Sequence, residues 1–277
     1  MTDMTIAGEA DRWMLMSRES VDGYPLIVRA RTKNDFIVDF EKLNAVSAVI
    51  CDLKPGFIQE NGLPTSAGLN GLHELEDDAI GALSSLQPHC FHTASVTGDG
   101  RRVLYFAHAK GVEVAALVSC IGSEIADIEV TCDFELTTYR EFITPTSLDI
   151  QLDGDQQVIG VLEENGNQAD VPRKVDFWFY GEPLKLQLLA VKLEKLGFEV
   201  DHWLNNPGGV VLSRTMGTEI STFHELTPQL LEFAEESGVE YDGWETFAAT
   251  PGNTSPHREP PAKPRSFFDK LFGAKKN

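Results

Sequence analysis

The most constraining feature of this chain is a change of apolar period between Lys174 and Phe247. Lys174–Tyr180 alternates with period two. Val175, Phe177 and Phe179 fall on one side of an extended segment, Trp178 and Tyr180 on the other. Pro183–Leu196 then repeats every three to four residues, with Leu186, Leu189, Ala190, Leu193 and Leu196 on one stripe. Lys185, Lys192 and Lys195 lie outside that stripe, Pro183 takes the first helical position, and Gly197 follows the end. Phe198–Leu204 and Val210–Thr215 read as strands around an Asn-Asn-Pro-Gly-Gly turn. Gln229–Ser237 reads as a helix and Gly238–Phe247 as a closing strand, with Asp242-Gly243 signalling a bulge. The order β-α-β-β-α-β predicts a ferredoxin-like split βαβ: an antiparallel sheet with helices on one face and the other face open.

Upstream, the pattern is strands, helix, hairpin, helix, strand. Trp13–Ser17 and Tyr24–Ala30 flank an Asp22-Gly23 turn, and Val46–Leu53 is a third strand. Thr65-Ser66 offers an N-cap to a helix whose stripe is Leu72, Leu75, Ala79, Leu83 and Leu86, ended by Pro88. His89–Thr97 and Arg101–Ala107 pair around Gly98-Asp99-Gly100. Val112–Ser123 follows as a helix and Ile125–Phe134 as a strand. The chain therefore divides into an N-terminal α+β sandwich over residues 1–145, the ferredoxin-like domain over 146–250, opened by a helix near Gln156–Glu164, and a disordered basic tail over 251–277.

Charge separates these parts. Residues 1–145 hold 11 basic and 22 acidic side chains, residues 146–250 hold 6 and 19, and the tail holds 6 and 2. Nucleic-acid binders neutralise phosphates with Lys and Arg, so two acidic domains in a chain of net charge −20 exclude direct RNA or DNA binding as an expectation. An acidic surface suits a basic protein partner. Cys51, Cys90, Cys120 and Cys132 form no CxxC pair and read as buried free thiols of a reducing compartment. The start lacks the charge and apolar core of a leader, and no apolar run is long enough to span a bilayer. The expectation is a soluble, cytoplasmic protein. The tail ends in SFFDKLFGAKK, a short amphipathic segment suited to docking on a protein or membrane surface.

Chemical motifs are weak. His89, Cys90 and His92 lack a second ligand pair at zinc spacing, and Glu74, Glu76, Asp77 and Asp78 read as a solvated helical face. The chain has no G-x-S-x-G and no P-loop, so no catalytic residue, metal or cofactor is assigned. The candidates are aromatic instead. Trp178, Tyr180 and Trp203 are expected on the open sheet face, with Tyr241, Asp242 and Trp244 of the closing strand completing a partner-binding set. A bulge leaves the faces of Tyr241 and Trp244 open. Because the join at Thr144–Ser147 is short, the first domain covering this face is the rival reading.

GVEYDGWETF at 238–247, with Glu182 and the helix-to-strand run PLKLQLLAVKLEKLGFEV at 183–200, resembles the bacterial B-type regulators of ribonuclease E activity. The resemblance spans about 147–249. It implies a non-enzymatic protein that binds ribonuclease E and inhibits its endonuclease activity. Trp13, the Gly-Tyr-Pro-Leu turn at 23–26, the helix containing Leu72–Asp78 and YREFITP at 139–145 make the first domain similar to a bacterial family of unknown function, which implies no activity. A small-molecule sensor with a ligand crevice between the domains is the alternative.

Overall fold

A computed structural model describes residues 13–31, 43–84, 90–119, 121–132, 139–140 and 143–250. The chain forms two compact units, Met1–Pro145 and Thr146–Asn277. Both are α+β, each built on an antiparallel sheet.

In the first unit the strands are β1 Trp13–Glu19, β2 Pro25–Arg31, β3 Asn44–Leu53, β4 Cys90–Gly98, β5 Arg101–Ala109 and β6 Ala126–Thr131. Their order across the sheet is β1-β2-β4-β5-β3-β6. The β1–β2 turn depends on Gly23 at φ +81°, and the β4–β5 turn on Asp99 and Gly100, both at positive φ, as a two-residue hairpin requires. Helices α1, Ser66–Ser84, and α2, Val114–Val118, cover one face. Thr65 Oγ1 caps α1 by accepting from the Gly68 N–H. Leu72, Leu75, Ala79 and Leu83 bury the α1 stripe against Val49, Cys51, Leu104 and Phe106. On the other face Met14, Met16, Val28, Ala48 and Ala94 form a second cluster with Tyr139. Tyr139 donates to Thr93 Oγ1.

Three expectations for this unit change. The helix expected over Val112–Ser123 is confined to Val114–Val118. Cys51 and Cys90 are buried free thiols, but Cys132 is exposed. Glu76 is not on a solvated face: it is buried while Glu74, Asp77 and Asp78 are exposed, because guanidiniums from β2 and β5 reach under α1 to its carboxylate. Leu86, Pro88, His89, Cys120 and the tail lie outside the described residues.

The second unit opens with α3, Ser147–Glu164, then β7 Arg173–Tyr180, α4 Pro183–Glu194, β8 Glu199–Asn205, β9 Gly208–Met216, α5 Ile220–Ser237 and β10 Glu240–Glu245. Strand order is β10-β7-β9-β8, antiparallel throughout, with the helices on one face. This is the split βαβ arrangement predicted from the periodicity. α3 begins well before Gln156. A capping box closes it, Thr146 Oγ1 accepting from the Asp149 N–H and Asp149 from the Thr146 N–H. α5 begins nine residues before Gln229 and carries Pro228 inside it. Gly238, at φ +62°, ends it in a left-handed cap. Leu186, Leu189 and Leu193 are buried as expected, whereas Leu196 lies beyond the end of α4 and is exposed. Among the described residues no helix is long and apolar enough to cross a membrane.

Candidate functional site

Strict alternation in β7 creates two chemically different faces. Val175, Phe177 and Phe179 are fully buried against the helices. Lys174, Asp176, Trp178 and Tyr180 project from the opposite face and are half-buried. Register extends that second face across the sheet. Trp178 lies opposite Val211 and Tyr180 opposite Gly209 on β9. A Cβ at Gly209 would sit 2.8 Å from Cδ1 of Tyr180 and 2.8 Å from the Phe179 carbonyl, so only glycine leaves room for that ring.

On β8 the register shifts between Val200 and His202. Asp201 is the extra residue, and the shift places His202 opposite Val211, on the face that carries Trp178. The His202 and Trp178 rings meet edge-on at 6.1 Å. Asp201 joins the two strands: it accepts from Lys174 Nζ, while His202 Nδ1 lies 2.7 Å from its Oδ2. Those bonds, Lys174 first and then His202, hold the Asp201 carboxyl below its ordinary range.

The face is acidic as well as aromatic. On β10, Glu240 lies opposite Tyr180, and Glu245 opposite Asp176. Burial, and then the carboxylates of Asp242, Glu240 and Glu245, push the Tyr180 hydroxyl above its ordinary value. Burial and then Asp176 raise Glu245. Like charges directly across a ladder destabilise it, so the Glu245–Asp176 opposition is not there to hold the fold. The cation among these acids, Lys174, is already engaged by Asp176 at 3.1 Å and by Asp201.

Of the six predicted residues, the structure brings Trp178, Tyr180 and Asp242 together on or beside this face. The other three lie on the helix side, against the expectation for Trp203, while the sequence assigns no face to Tyr241 and Trp244. Trp203 lies opposite Val210, a core residue, and so belongs to the helix side of the sheet. The bulge at Asp201 has reversed its parity. It remains 44 % exposed because β8 is an edge strand. Tyr241 and Trp244 also face the helices. The bulge at Asp242, with Gly243 at φ +100°, puts both on one side although they are three residues apart. Tyr241 packs on the Phe179 ring at 5.1 Å. Trp244 stacks on Phe223 at 4.0 Å, and its Nε1 donates to Asp155 Oδ1 at 2.7 Å. Sequence reasoning missed His202, Glu240 and Glu245. The two glutamates had a signal in their position beside the Asp-Gly bulge, and His202 had none. Among the described residues there is no group of three His, Cys, Asp or Glu arranged to hold a metal ion.

Two family models match the chain. Residues 152–246 match the family model "Regulator of ribonuclease activity B", and residues 11–144 match a "Family of unknown function (DUF695)". A regulator of ribonuclease activity B from Xenorhabdus nematophila is 30 % identical over 115 residues, covering 39 % of this chain and 82 % of the relative. One from Pseudoalteromonas atlantica is 27 % identical over 100 residues, covering 33 % of this chain and 86 % of the relative.

Proposed function

The chain belongs to the regulator of ribonuclease activity B family through its second unit, and from that premise we propose that it binds and inhibits an RNA-processing endoribonuclease, ribonuclease E, without catalysing a reaction itself. The observation that carries the reading is the composition of the sheet face that the helices of this unit leave bare. Trp178 and Tyr180 supply large, rigid apolar area, and Asp176, Asp201, Glu240, Asp242 and Glu245 surround them with negative charge. That combination suits a Lys/Arg-rich segment with apolar side chains, the kind of segment an enzyme uses to hold RNA. The regulator would compete with RNA for that segment and would not bind RNA itself, since its own net charge is −20. Cys51 and Cys90 as free thiols fit a reducing compartment, and we place the protein in the cytoplasm.

The test is cleavage of a fluorescent RNA by ribonuclease E, titrated with the full chain at low and high ionic strength. Inhibition should be strongest at low salt. Trp178→Ala should weaken it roughly 30-fold or more, the loss of one interface anchor worth about 2 kcal/mol. Trp203→Ala, on the opposite side of the sheet, should leave it within about threefold on the same scale. Unchanged cleavage at any concentration of regulator would refute the function. Equal loss in both variants would refute the face.

A further inference from the structure

The first unit carries a cleft that its core does not require. The cleft, about 510 Å³ and open to solvent on one side, lies where α1, the loop at 59–64 and the sheet strands β1, β2, β4 and β5 meet. Its walls include Leu15, Ile27 and Leu69, which are 59, 45 and 37 % exposed. Three large apolar side chains left in water around one opening are an unmet hydrophobic demand. Its volume lies in the range of small-molecule sites.

The floor is charged. Glu76, Arg102 and Ser95 are buried there, and Arg29 reaches in from β2. Arg102 Nη1 donates to Glu76 Oε2 at 2.9 Å and Arg102 Nε to Thr97 Oγ1 at 2.8 Å. Ser95 Oγ donates to Glu76 Oε1 at 3.1 Å, and Arg29 Nη2 donates to the same oxygen. One carboxylate thus answers two guanidiniums. A third, Arg31, sits 5.1 Å from the Trp13 ring, on which Arg29 also stacks at 4.7 Å. His92 registers the resulting field: burial first, then Arg29, Arg31 and Arg102, push its pKa down to about 3, so it stays neutral beside Glu76.

A purely structural ion pair would need one arginine under α1. The second adds a positive charge beside apolar walls, in a unit whose acidic side chains outnumber its basic ones two to one. Arg29 lines the cleft with its side chain 39 % exposed, and Glu76 engages one of its terminal nitrogens. We propose that this cleft binds a small organic carboxylate, its carboxyl group against Arg29 and its apolar body along Leu15, Ile27 and Leu69. Phosphate esters fit less well, because among the described residues the two guanidiniums lining the cleft exceed its one carboxylate by a single charge, which matches a monoanion. The site stands apart from the sheet face of the second unit and does not depend on the reading of that face.

The test uses the full chain and three probes that share a six-carbon body: hexanoate, hexanol and hexylammonium. Calorimetric titration should give hexanoate a Kd on the order of 1 mM or tighter. Hexanol should bind at least tenfold more weakly, and hexylammonium should give no heat of binding. Arg29→Gln should weaken hexanoate at least tenfold by removing a charge-assisted contact. Ile27→Glu, at a wall position 45 % exposed, should abolish it while urea unfolding shows the variant folded. No hexanoate binding, hexylammonium binding equal to hexanoate, or unchanged affinity in either variant would each overturn the proposal.

Discussion

Asp155 offers the sharpest test of how the second unit is held together. It lies on α3, is 2 % exposed, and accepts from Trp244 Nε1 at 2.7 Å and from Thr227 Oγ1 at 2.6 Å. Burial raises its pKa from 3.8 to about 6, against the lowering effect of those two bonds. A carboxyl raised in the folded state binds its proton there while the unfolded chain has already released it. Stability from this group therefore falls as pH rises from about 4 to 6 and stays lower above that window. A shift of roughly two units corresponds to about 3 kcal/mol. Asn in place of Asp is the neutral mimic: Oδ1 still accepts from Trp244, and Thr227 turns its hydroxyl to accept from the amide. Asp155→Asn should match the native chain near pH 4 and exceed its stability by up to about 3 kcal/mol at pH 8. Urea unfolding of the full chain at steps of pH, followed by tryptophan fluorescence, reads this directly, since three of the four tryptophans lie in the second unit. The difference between the two curves isolates Asp155 from every other titrating group. If the difference stays flat from pH 4 to 8, ionisation of the buried Asp155 carboxyl does not strain the fold.

Three further substitutions probe other parts of the structure. Glu76→Ala leaves the Arg102 guanidinium buried without its carboxylate and should cost about 3–5 kcal/mol in urea unfolding, whereas exposed Glu74→Ala should stay within about 0.5 kcal/mol. Tyr241→Phe removes a buried hydroxyl that has no hydrogen-bond partner among the described residues, so thermal unfolding should show a variant as stable as the native chain or more so. Gly98→Ala should destabilise the end of β4 by about 1–3 kcal/mol, because φ is +148° there and a Cβ would run into the Pro25 carbonyl oxygen of β2; faster amide exchange confined to β2, β4 and β5 would confirm it.

What the sequence revealed follows from where local rules act alone. The β7 alternation and the α4 stripe were legible because one side chain set meets one core, with no irregularity between Arg173 and Glu194 other than the turn. The bulge in β10 was legible through Asp242-Gly243, but the face of Trp244 was not, since parity after a bulge depends on which residue is left out of the ladder. The bulge in β8 had no Gly or Pro to announce it, and so Trp203 was placed on the wrong face. Pro228 disguised the first turns of α5, where Phe223 and Leu226 are buried. Glu76 was invisible for another reason. Its partners come from positions 47 and 26 residues away, and in an acidic run nothing local distinguishes it from Asp77.

The carboxylates separate the parts of the molecule that serve stability from those that do not. Asp149 caps a helix, and Glu76 ties α1 to its sheet; both meet partners that the fold itself supplies. Asp176 and Glu245 face each other across a ladder, with Asp242 and Glu240 close by, and the one lysine among them is shared between two acids. This concentration raises the energy of the isolated unit. A basic segment of the kind proposed above would relieve it, so on that proposal part of the binding free energy is stored as repulsion in the free protein. β7 carries Val175, Phe177 and Phe179 on its other side at zero exposure, which anchors Trp178 and Tyr180 to the core. Little ordering remains to be done when a partner arrives. An acidic and aromatic sheet face is costly to keep for solubility alone, and that cost supports the cationic partner proposed above.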